Sequence, residues 1–261
     1  MKQVGLGLIG AGRIAKIHSS SIAEISNAKL VAVADLALDR AKEIAEDHKA
    51  DVYKDYKELL KRKDIDAVII AVPTYIHQAV TVDAAEAGKH VYCEKPIALT
   101  LREADEMIKA TRKAGVKIMI GEQVRFIFSK VKKLLNEGVL GDINIIRSCL
   151  LAWPPSDWMC DPKKGGGMII DTSVHNADLI RWLTGSEVER VYAESKAFMI
   201  DKCKDMKTED NAIYLLKMKN GVIGEVYSSW TGKGTGGFSL EIFGTKGMMY
   251  SHPLSLSLIH I

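Results

Sequence analysis

The feature that most constrains the fold is the alternation of short apolar runs with longer amphipathic stretches over residues 4–120. Five runs are rich in Val, Ile and Ala: Val4–Ile9, Leu30–Ala34, Ala67–Val72, His90–Cys93 and Lys117–Ile120. Between them, apolar residues recur at helical spacing in Ile14–Ile25, Asp39–His48, Ile76–Ala87 and Leu101–Ala114. Strands buried on both faces and separated by helices predict a doubly wound parallel sheet, which is an α/β architecture.

The rhythm changes after Gly121. Helical patterns at Ser129–Asn136 and Asp171–Leu183 stand among longer strand candidates, which are Ile143–Leu151, Val188–Phe198, Ala212–Met218, Val222–Trp230 and Phe238–Phe243. Asn220-Gly221 predicts a two-residue hairpin turn. We therefore expect two domains: residues 1–121 form an α/β domain, and residues 122–250 form an α+β domain with a mostly antiparallel sheet.

The last residues, 251–261, carry no clear pattern of helix or strand. Leu256–Ile261 reads LSLIHI, which is the translation of CTGTCTCTTATACACATC, the end of a transposon used to fragment DNA for sequencing. We therefore expect residues 251–261 to be a non-native tail that interrupts the second domain.

The charge balance argues against polyanionic partners. Lys and Arg total 36 against 33 Asp and Glu, a net charge of +3 without a basic cluster, so we expect neither nucleic acid nor a membrane as partner. The start of the chain lacks the pattern of a signal peptide, and the four cysteines form no CxxC pair. The sequence thus favours a cytoplasmic protein with reduced thiols and a small-molecule ligand.

A glycine-rich turn directly follows the first apolar run. In Gly10-Ala-Gly12-Arg-Ile-Ala15, Gly10 permits a tight turn and Gly12 permits close approach of a pyrophosphate to the start of the next helix. Asp35 ends the second run, where a carboxylate accepts hydrogen bonds from the ribose of NAD and repels the 2′-phosphate of NADP. Arg40 nearby keeps NADP open, and a glycine turn without a ligand is the alternative interpretation.

Lys95 follows the run His90–Cys93 within Glu94-Lys95-Pro96. Residues just beyond the carboxyl ends of parallel strands face the ligand crevice, where a lysine of lowered pKa could exchange a proton with a substrate hydroxyl. The alternative is a solvated lysine in a proline turn.

A polar stripe follows the triple glycine Gly165–Gly167. Asp171, His175, Asp178 and Trp182 recur at spacings of four, three and four, which predicts one face of one helix. His175 suits a general base that Asp171 could orient, with Trp153 and its neighbours as an aromatic wall. A surface salt-bridge row is one alternative; a metal pair is another, but no third ligand lies at suitable spacing, so we expect no metal.

Together these motifs resemble the glucose-fructose oxidoreductase, inositol dehydrogenase and MocA family of nicotinamide-dependent oxidoreductases. The resemblance covers about Val4 to Tyr250 and rests on GLIGAGRIAKIH, AD, AVPTYIH, EKP, VRF and GGGMIIDTSVHNADLIRWLTG. It implies that residues 1–121 form a Rossmann dinucleotide-binding domain. The second domain is then expected to have an open sheet, which often mediates homodimers or homotetramers in the family, and the chain is expected to continue natively past Tyr250. It also implies a cis peptide before Pro96.

The resemblance implies Lys95, Asp171 and His175 as catalytic residues of a dehydrogenase acting on the CH–OH group of a sugar, polyol or cyclitol. The cofactor-binding candidates are Gly10, Gly12, Arg13, Ile14, Asp35, Arg40, Pro73, Thr74, His77, Glu94, Lys95 and Gln123. The substrate-binding candidates are Arg125, Trp153, Asp171, His175 and Asp178. Two alternatives stay open: NAD-dependent glycoside cleavage by transient oxidation and elimination, and a non-catalytic NAD-binding module.

Overall fold

A computed structural model describes residues 3–152, 156–232, 237–252 and 255–260 of the chain. The chain divides into two compact units, Met1–Gly121 and Glu122–Ile261. Each unit has its own hydrophobic core.

The first unit contains a six-stranded sheet in the order β3-β2-β1-β4-β5-β6, with every neighbouring pair parallel. Its strands are β1 (Val4–Ile9), β2 (Ala28–Ala34), β3 (Asp51–Tyr53), β4 (Ala67–Ile70), β5 (His90–Cys93) and β6 (Ile118–Ile120). Its helices are α1 (Arg13–Ala23), α2 (Leu38–His48), α3 (Tyr56–Leu60), α4 (His77–Glu86) and α5 (Leu101–Ala114). The predicted doubly wound parallel sheet is confirmed.

Both faces of this sheet are buried, as the apolar runs predicted. Leu8 and Ile69 pack into one core cluster, whereas their neighbours Ile9 and Ile70 pack into the other, because successive strand residues point to opposite faces. The sequence reading missed β3 and α3.

The second unit contains a seven-stranded sheet in the order β13-β12-β11-β7-β10-β9-β8. Its strands are β7 (Ile143–Leu151), β8 (Val188–Lys196), β9 (Asn211–Met218), β10 (Ile223–Ser229), β11 (Gly237–Gly244), β12 (Gly247–His252) and β13 (Ser255–His260). Its helices are α6 (Val124–Ile127), α7 (Ser129–Asn136), α8 (Val174–Thr184) and α9 (Asp201–Met206). Only β7 and β10 pair in parallel among these strands, so the predicted mostly antiparallel sheet is confirmed.

The hairpin at Asn220-Gly221 forms, but its loop is longer than predicted. Met218 and Val222 pair across it, and the Gly221 N–H donates to the Met218 carbonyl at 3.0 Å. Gly221 has φ +91°, which is the left-handed position that closes a three-residue loop with a bulge. The two-residue prediction was therefore wrong by one residue.

The tail segment is described as strand β13, which pairs antiparallel with β12 at the edge of the sheet. The sequence predicted no element here. The non-native origin of residues 251–261 stays a prediction.

Across the residues that the structure describes, none of the helices has the length and apolar character needed to cross a membrane. The structure contains the four cysteines as free thiols; Cys93, Cys160 and Cys203 are buried and Cys149 is half-buried.

Candidate active site

The strand ends of the first unit are aligned in one row. Ile9 pairs with Ala34 and with Ile70, and Cys93 pairs with Ile70 and with Ile120. The segments that follow these strands therefore leave the sheet along a single edge, which is where parallel α/β sheets bind ligands.

Gly10 is required at its position by the backbone itself. It has φ +96°, and a Cβ there would lie 2.3 Å from the carbonyl oxygen of Ala71. Gly12 differs, because a Cβ there would meet no atom within 4 Å. The space in front of the first amides of α1 is therefore open to a ligand, and amides at a helix start favour an anionic phosphate.

Asp35 supports this turn directly. Its Oδ2 accepts the N–H of Ala11 at 2.7 Å, and its Oδ1 accepts the N–H of Ala37 at 2.8 Å and lies 3.4 Å from Nη2 of Arg40. Oδ2 has a second lone pair with which it could accept a ribose hydroxyl. The sequence predicted the ribose contact but not the bond that holds the glycine turn.

Other cofactor candidates of the first unit differ in exposure. Arg13 is exposed, Ile14 and Pro73 are half-buried, and Thr74 is buried. The side chain of Arg40 is 60% exposed, so it is accessible to a ligand.

His77, one of the cofactor-binding candidates, is enclosed by its own unit. It is 1% exposed, and its Nδ1 and Nε2 each lie 2.9 Å from a backbone carbonyl oxygen, of Pro96 and Val72 respectively. Burial lowers the pKa of the imidazole. A neutral imidazole carries a single N–H, so one of these two contacts is a hydrogen bond. Through them His77 connects the segment after β4 with the segment after β5.

The segment after β5 contains the Lys95–Pro96 peptide bond in the expected cis form. Lys95 is half-buried, and its backbone N–H donates to Oε2 of Glu94 at 3.3 Å. Oε1 of Glu94 lies 2.7 Å from Nε2 of His18, whose ring meets Tyr92 edge-on at 5.2 Å. Glu94 is thus oriented by α1 of its own unit.

In the second unit, the helix predicted over Asp171–Leu183 forms with a π-helical turn at its start. Ile169–Ser173 is that turn, and α8 continues from Val174. Asp171 therefore lies in the π-helical turn, whereas His175, Asp178 and Trp182 lie on α8. That Asp171 shares one face with them stays a prediction.

His175 is oriented by a residue that the sequence reading missed. Its Nδ1 lies 2.7 Å from Oε1 of Glu122, and both side chains are largely buried, at 9% and 13% exposure. A carboxylate at Nδ1 favours the tautomer with the proton on Nδ1, which makes Nε2 the acceptor atom of the ring.

Two substrate candidates bind each other. Arg125 donates from Nε and Nη2 to the two carboxylate oxygens of Asp178, at 2.7 and 2.5 Å, and these bonds raise the pKa of the guanidinium. Trp182 also has an internal partner, since Nζ of Lys132 lies 5.9 Å from its ring centroid. Gln123 is exposed just before α6, and Trp153 lies outside the described residues.

Asp171 is 6% exposed and belongs to a buried hydrogen-bonded chain. The hydroxyl of Thr172 donates to its Oδ2 at 3.0 Å, and the indole N–H of Trp230 donates to Oγ1 of Thr172 at 2.7 Å.

The triple glycine serves packing within the unit. A Cβ at Gly165 would lie 2.3 Å from Cα of Met159, and one at Gly167 would lie 2.9 Å from Oε1 of Glu209. Close contact with the protein therefore requires a small residue at both positions. Among the described residues, no group of three or more His, Cys, Asp or Glu side chains could hold a metal ion.

Comparison with known proteins places both halves of the chain. Residues 4–122 match the GFO_IDH_MocA model, described as an oxidoreductase family with an NAD-binding Rossmann fold, and residues 128–250 match the GFO/IDH/MocA C-terminal domain. The uncharacterized oxidoreductase YrbE of Bacillus subtilis is 35% identical over 94% of this chain and 73% of its own length.

Relatives with assigned activities are matched over smaller shares of their length. Myo-inositol 2-dehydrogenase of Thermotoga maritima is 33% identical over 74% of this chain, which spans 58% of that protein. The 2,7-anhydro-N-acetylneuraminate hydratase of Mediterraneibacter gnavus is 36% identical over 51% of this chain and 37% of its own length.

A solved structure supports the same assignment. The crystal structure of a probable dehydrogenase from Thermotoga maritima superposes with a TM-score of 0.89 at 32% identity, covering 95% of this chain and 75% of that one. The predicted nicotinamide-dependent dehydrogenase is confirmed at the level of the family. The chain belongs to the GFO/IDH/MocA family of oxidoreductases.

Proposed function

We propose that this protein oxidises a secondary alcohol of a sugar, polyol or cyclitol reversibly, with NAD as the hydride acceptor. The observation that carries the proposal is the bond between His175 and Glu122. An imidazole held in one tautomer by a buried carboxylate is the arrangement that a general base requires.

In this proposal, Nε2 of His175 removes the hydroxyl proton, and the resulting imidazolium is stabilised by Glu122. Asp171 orients the substrate through hydrogen bonds. Lys95 donates to the hydroxyl oxygen and stabilises the negative charge that develops there.

The cofactor residues of the first unit fit a dinucleotide. Gly12 leaves open the space that a pyrophosphate needs, and Oδ2 of Asp35 offers a lone pair to a ribose. A nicotinamide held by these residues would supply the hydride acceptor for the oxidation of the alcohol carbon. The carboxylate of Asp35 supports a preference for NAD, because it repels a 2′-phosphate.

The test is the formation of reduced nicotinamide from NAD with inositols, aldoses, amino sugars and sugar nucleotides as candidate substrates. We expect turnover with one of these classes. His175→Ala should abolish turnover and leave the NADH dissociation constant within a few-fold of the wild type. Loss of NADH binding together with turnover would contradict the catalytic role of His175.

The hydratase among the relatives favours a second candidate, in which the same residues support transient oxidation followed by elimination and addition of water. Such a reaction produces no net reduced nicotinamide. It is distinguished by a new product, found by mass spectrometry with catalytic NAD, and by deuterium incorporation from heavy water at the carbon next to the oxidised one.

A further inference from the structure

We propose that Trp230 and Thr172 form a one-way hydrogen-bond relay that fixes the carboxylate of Asp171, so that both are positioning residues for the reaction. The inference rests on the proposed function, in which Asp171 orients the substrate. Trp230 directly follows β10, Thr172 stands in the π-helical turn, and both belong to the second unit.

The direction of the relay follows from donor chemistry. An indole N–H can only donate, so the contact of 2.7 Å from Nε1 of Trp230 makes Oγ1 of Thr172 an acceptor. The hydroxyl of Thr172 has a single proton, which lies on its contact of 3.0 Å with Oδ2 of Asp171. Trp230 thereby determines where Thr172 donates.

Burial makes the relay effective. Trp230, Thr172 and Asp171 are 2%, 5% and 6% exposed, so water competes little for these groups, and hydrogen bonds strengthen in such surroundings. A hydroxyl in a helix commonly bonds to a carbonyl one turn earlier. Here it donates to the preceding side chain, and this restricts the rotation of the Asp171 carboxylate.

The neighbouring contacts hold the π-helical turn against the sheet. Oγ of Ser173 lies 2.7 Å from the hydroxyl oxygen of Tyr214 and 2.9 Å from Oγ of Ser228. Asn176 donates to Ser148 at 2.8 Å and accepts from Ser228 at 3.1 Å. Because the two contacts of Ser173 hold the turn and the two bonds of Asn176 hold the start of α8 without Thr172, removal of its hydroxyl should disturb Asp171 and leave the backbone in place.

The test is a double-mutant cycle on the full chain. Thr172→Val keeps the shape and removes the hydroxyl; we expect kcat to fall about tenfold, with the NADH dissociation constant unchanged. Thr172→Ser keeps the hydroxyl and should restore kcat to within about twofold. Trp230→Phe should lower kcat by a few-fold, and Thr172→Val with Trp230→Phe should be no slower than Thr172→Val alone, because the two act in series.

A second readout does not depend on activity. In a ¹H–¹⁵N spectrum, the indole signal missing in Trp230→Phe belongs to Trp230. This signal should shift upfield in Thr172→Val, and in Thr172→Ser it should lie at its wild-type chemical shift.

The outcomes separate the relay from the proposed function. An active wild type with an unchanged kcat in Thr172→Val, or with independent effects of the two substitutions, overturns the relay. A wild type that is inactive on every substrate overturns the proposed function instead. If the chemical shift of the Trp230 indole signal is also unchanged in Thr172→Val, the hydrogen bond is overturned as well.

Discussion

At the scale of single residues, the decisive contacts of the second unit join positions far apart in the sequence. His175 meets Glu122 across 53 positions, and Trp230 meets Thr172 across 58. A pattern search along the chain found His175 and Asp171 because their spacing is local. It could not find Glu122 or Trp230, since only the fold brings them to the site.

Glu122→Gln tests the orientation of His175. The amide can donate to Nδ1 and so place the proton on Nε2, where the ring can no longer accept one. We expect kcat to fall on the order of 100-fold, while NADH affinity stays within about twofold of the wild type. Steady-state kinetics and ¹⁵N spectra of the ring nitrogens provide the measurement; a kcat within threefold of the wild type would sink the assignment.

Asp210 is a buried carboxylate with a structural role. It is 0% exposed and accepts the N–H groups of Phe198, Met199 and Ile200 at 2.8–3.0 Å, together with the amide of Asn211 at 2.8 Å. Burial opposes its ionisation, but these donors outweigh burial and hold the pKa below its usual value.

We therefore expect Asp210→Asn to lower the free energy of unfolding by about 1–3 kcal/mol at pH 7. A depressed pKa stabilises the folded state above the unfolded pKa of about 4, and this stabilisation is lost as the pH falls through the folded pKa. The difference in the free energy of unfolding between the variant and the wild type should thus become smaller as the pH falls below about 4. Urea unfolding followed by tryptophan fluorescence reports the second unit alone, since Trp153, Trp158, Trp182 and Trp230 all lie there; a difference independent of pH contradicts the role of the charge.

At the scale of elements, the local cap signals at the ends of a helix predicted its bounds correctly. The extra residues of the π-helical turn and of the hairpin loop were not predicted. Helix α5 has the predicted bounds because Thr100 and Glu103 form a capping box and Gly115 adopts φ +69° after its end. The π-helical turn was not predicted, because the four-residue spacing of Asp171 and His175 in the sequence fits an α-helix as well as a π turn. Strand β3 has three residues, none of them buried, and so lacks an apolar run.

The glycine turn offers a matched pair of variants. Gly10→Ala should destabilise the first unit by about 1–3 kcal/mol, because its Cβ would collide with Ala71 and φ is positive. Gly12→Ala should leave stability unchanged, because its Cβ points into open space, and should weaken NADH binding on the order of tenfold. Thermal unfolding by circular dichroism and NADH fluorescence titration separate the two effects. Unchanged NADH affinity in Gly12→Ala would contradict the proposed position of the pyrophosphate.

At the scale of the whole molecule, the presence of both sheets follows from the order of strand and helix patterns along the sequence. No pattern in the sequence gives the strand order of the second sheet. The parallel pairing of β7 with β10 depends on a connection of more than 70 residues, which loop entropy alone does not select. The first unit is different, because its consecutive strands and helices are joined by short connections. The rule that such connections are right-handed then leaves few possible topologies.

The separate cores lead to a prediction for the isolated first unit. Residues 1–121 expressed alone should fold, since both core clusters of that unit lie within them, and should bind NADH within about fivefold of the full chain's affinity. Circular dichroism and fluorescence titration give the measurement. An unfolded fragment would show that the first unit depends on the rest of the chain.

The buried cysteines make each unit's opening observable in the wild-type chain. Burial raises the pKa of Cys93 in the first unit and of Cys160 in the second to about 12, so these thiols should resist alkylation until their surroundings unfold. Cys149 is half-buried and should react first with iodoacetamide. Mass spectrometry of peptides from a denaturant series would thus give the denaturant concentration at which each unit unfolds. Modification of Cys93 and Cys160 in the folded protein would contradict their enclosure. The native cysteines therefore report the unfolding of each unit without introduced labels.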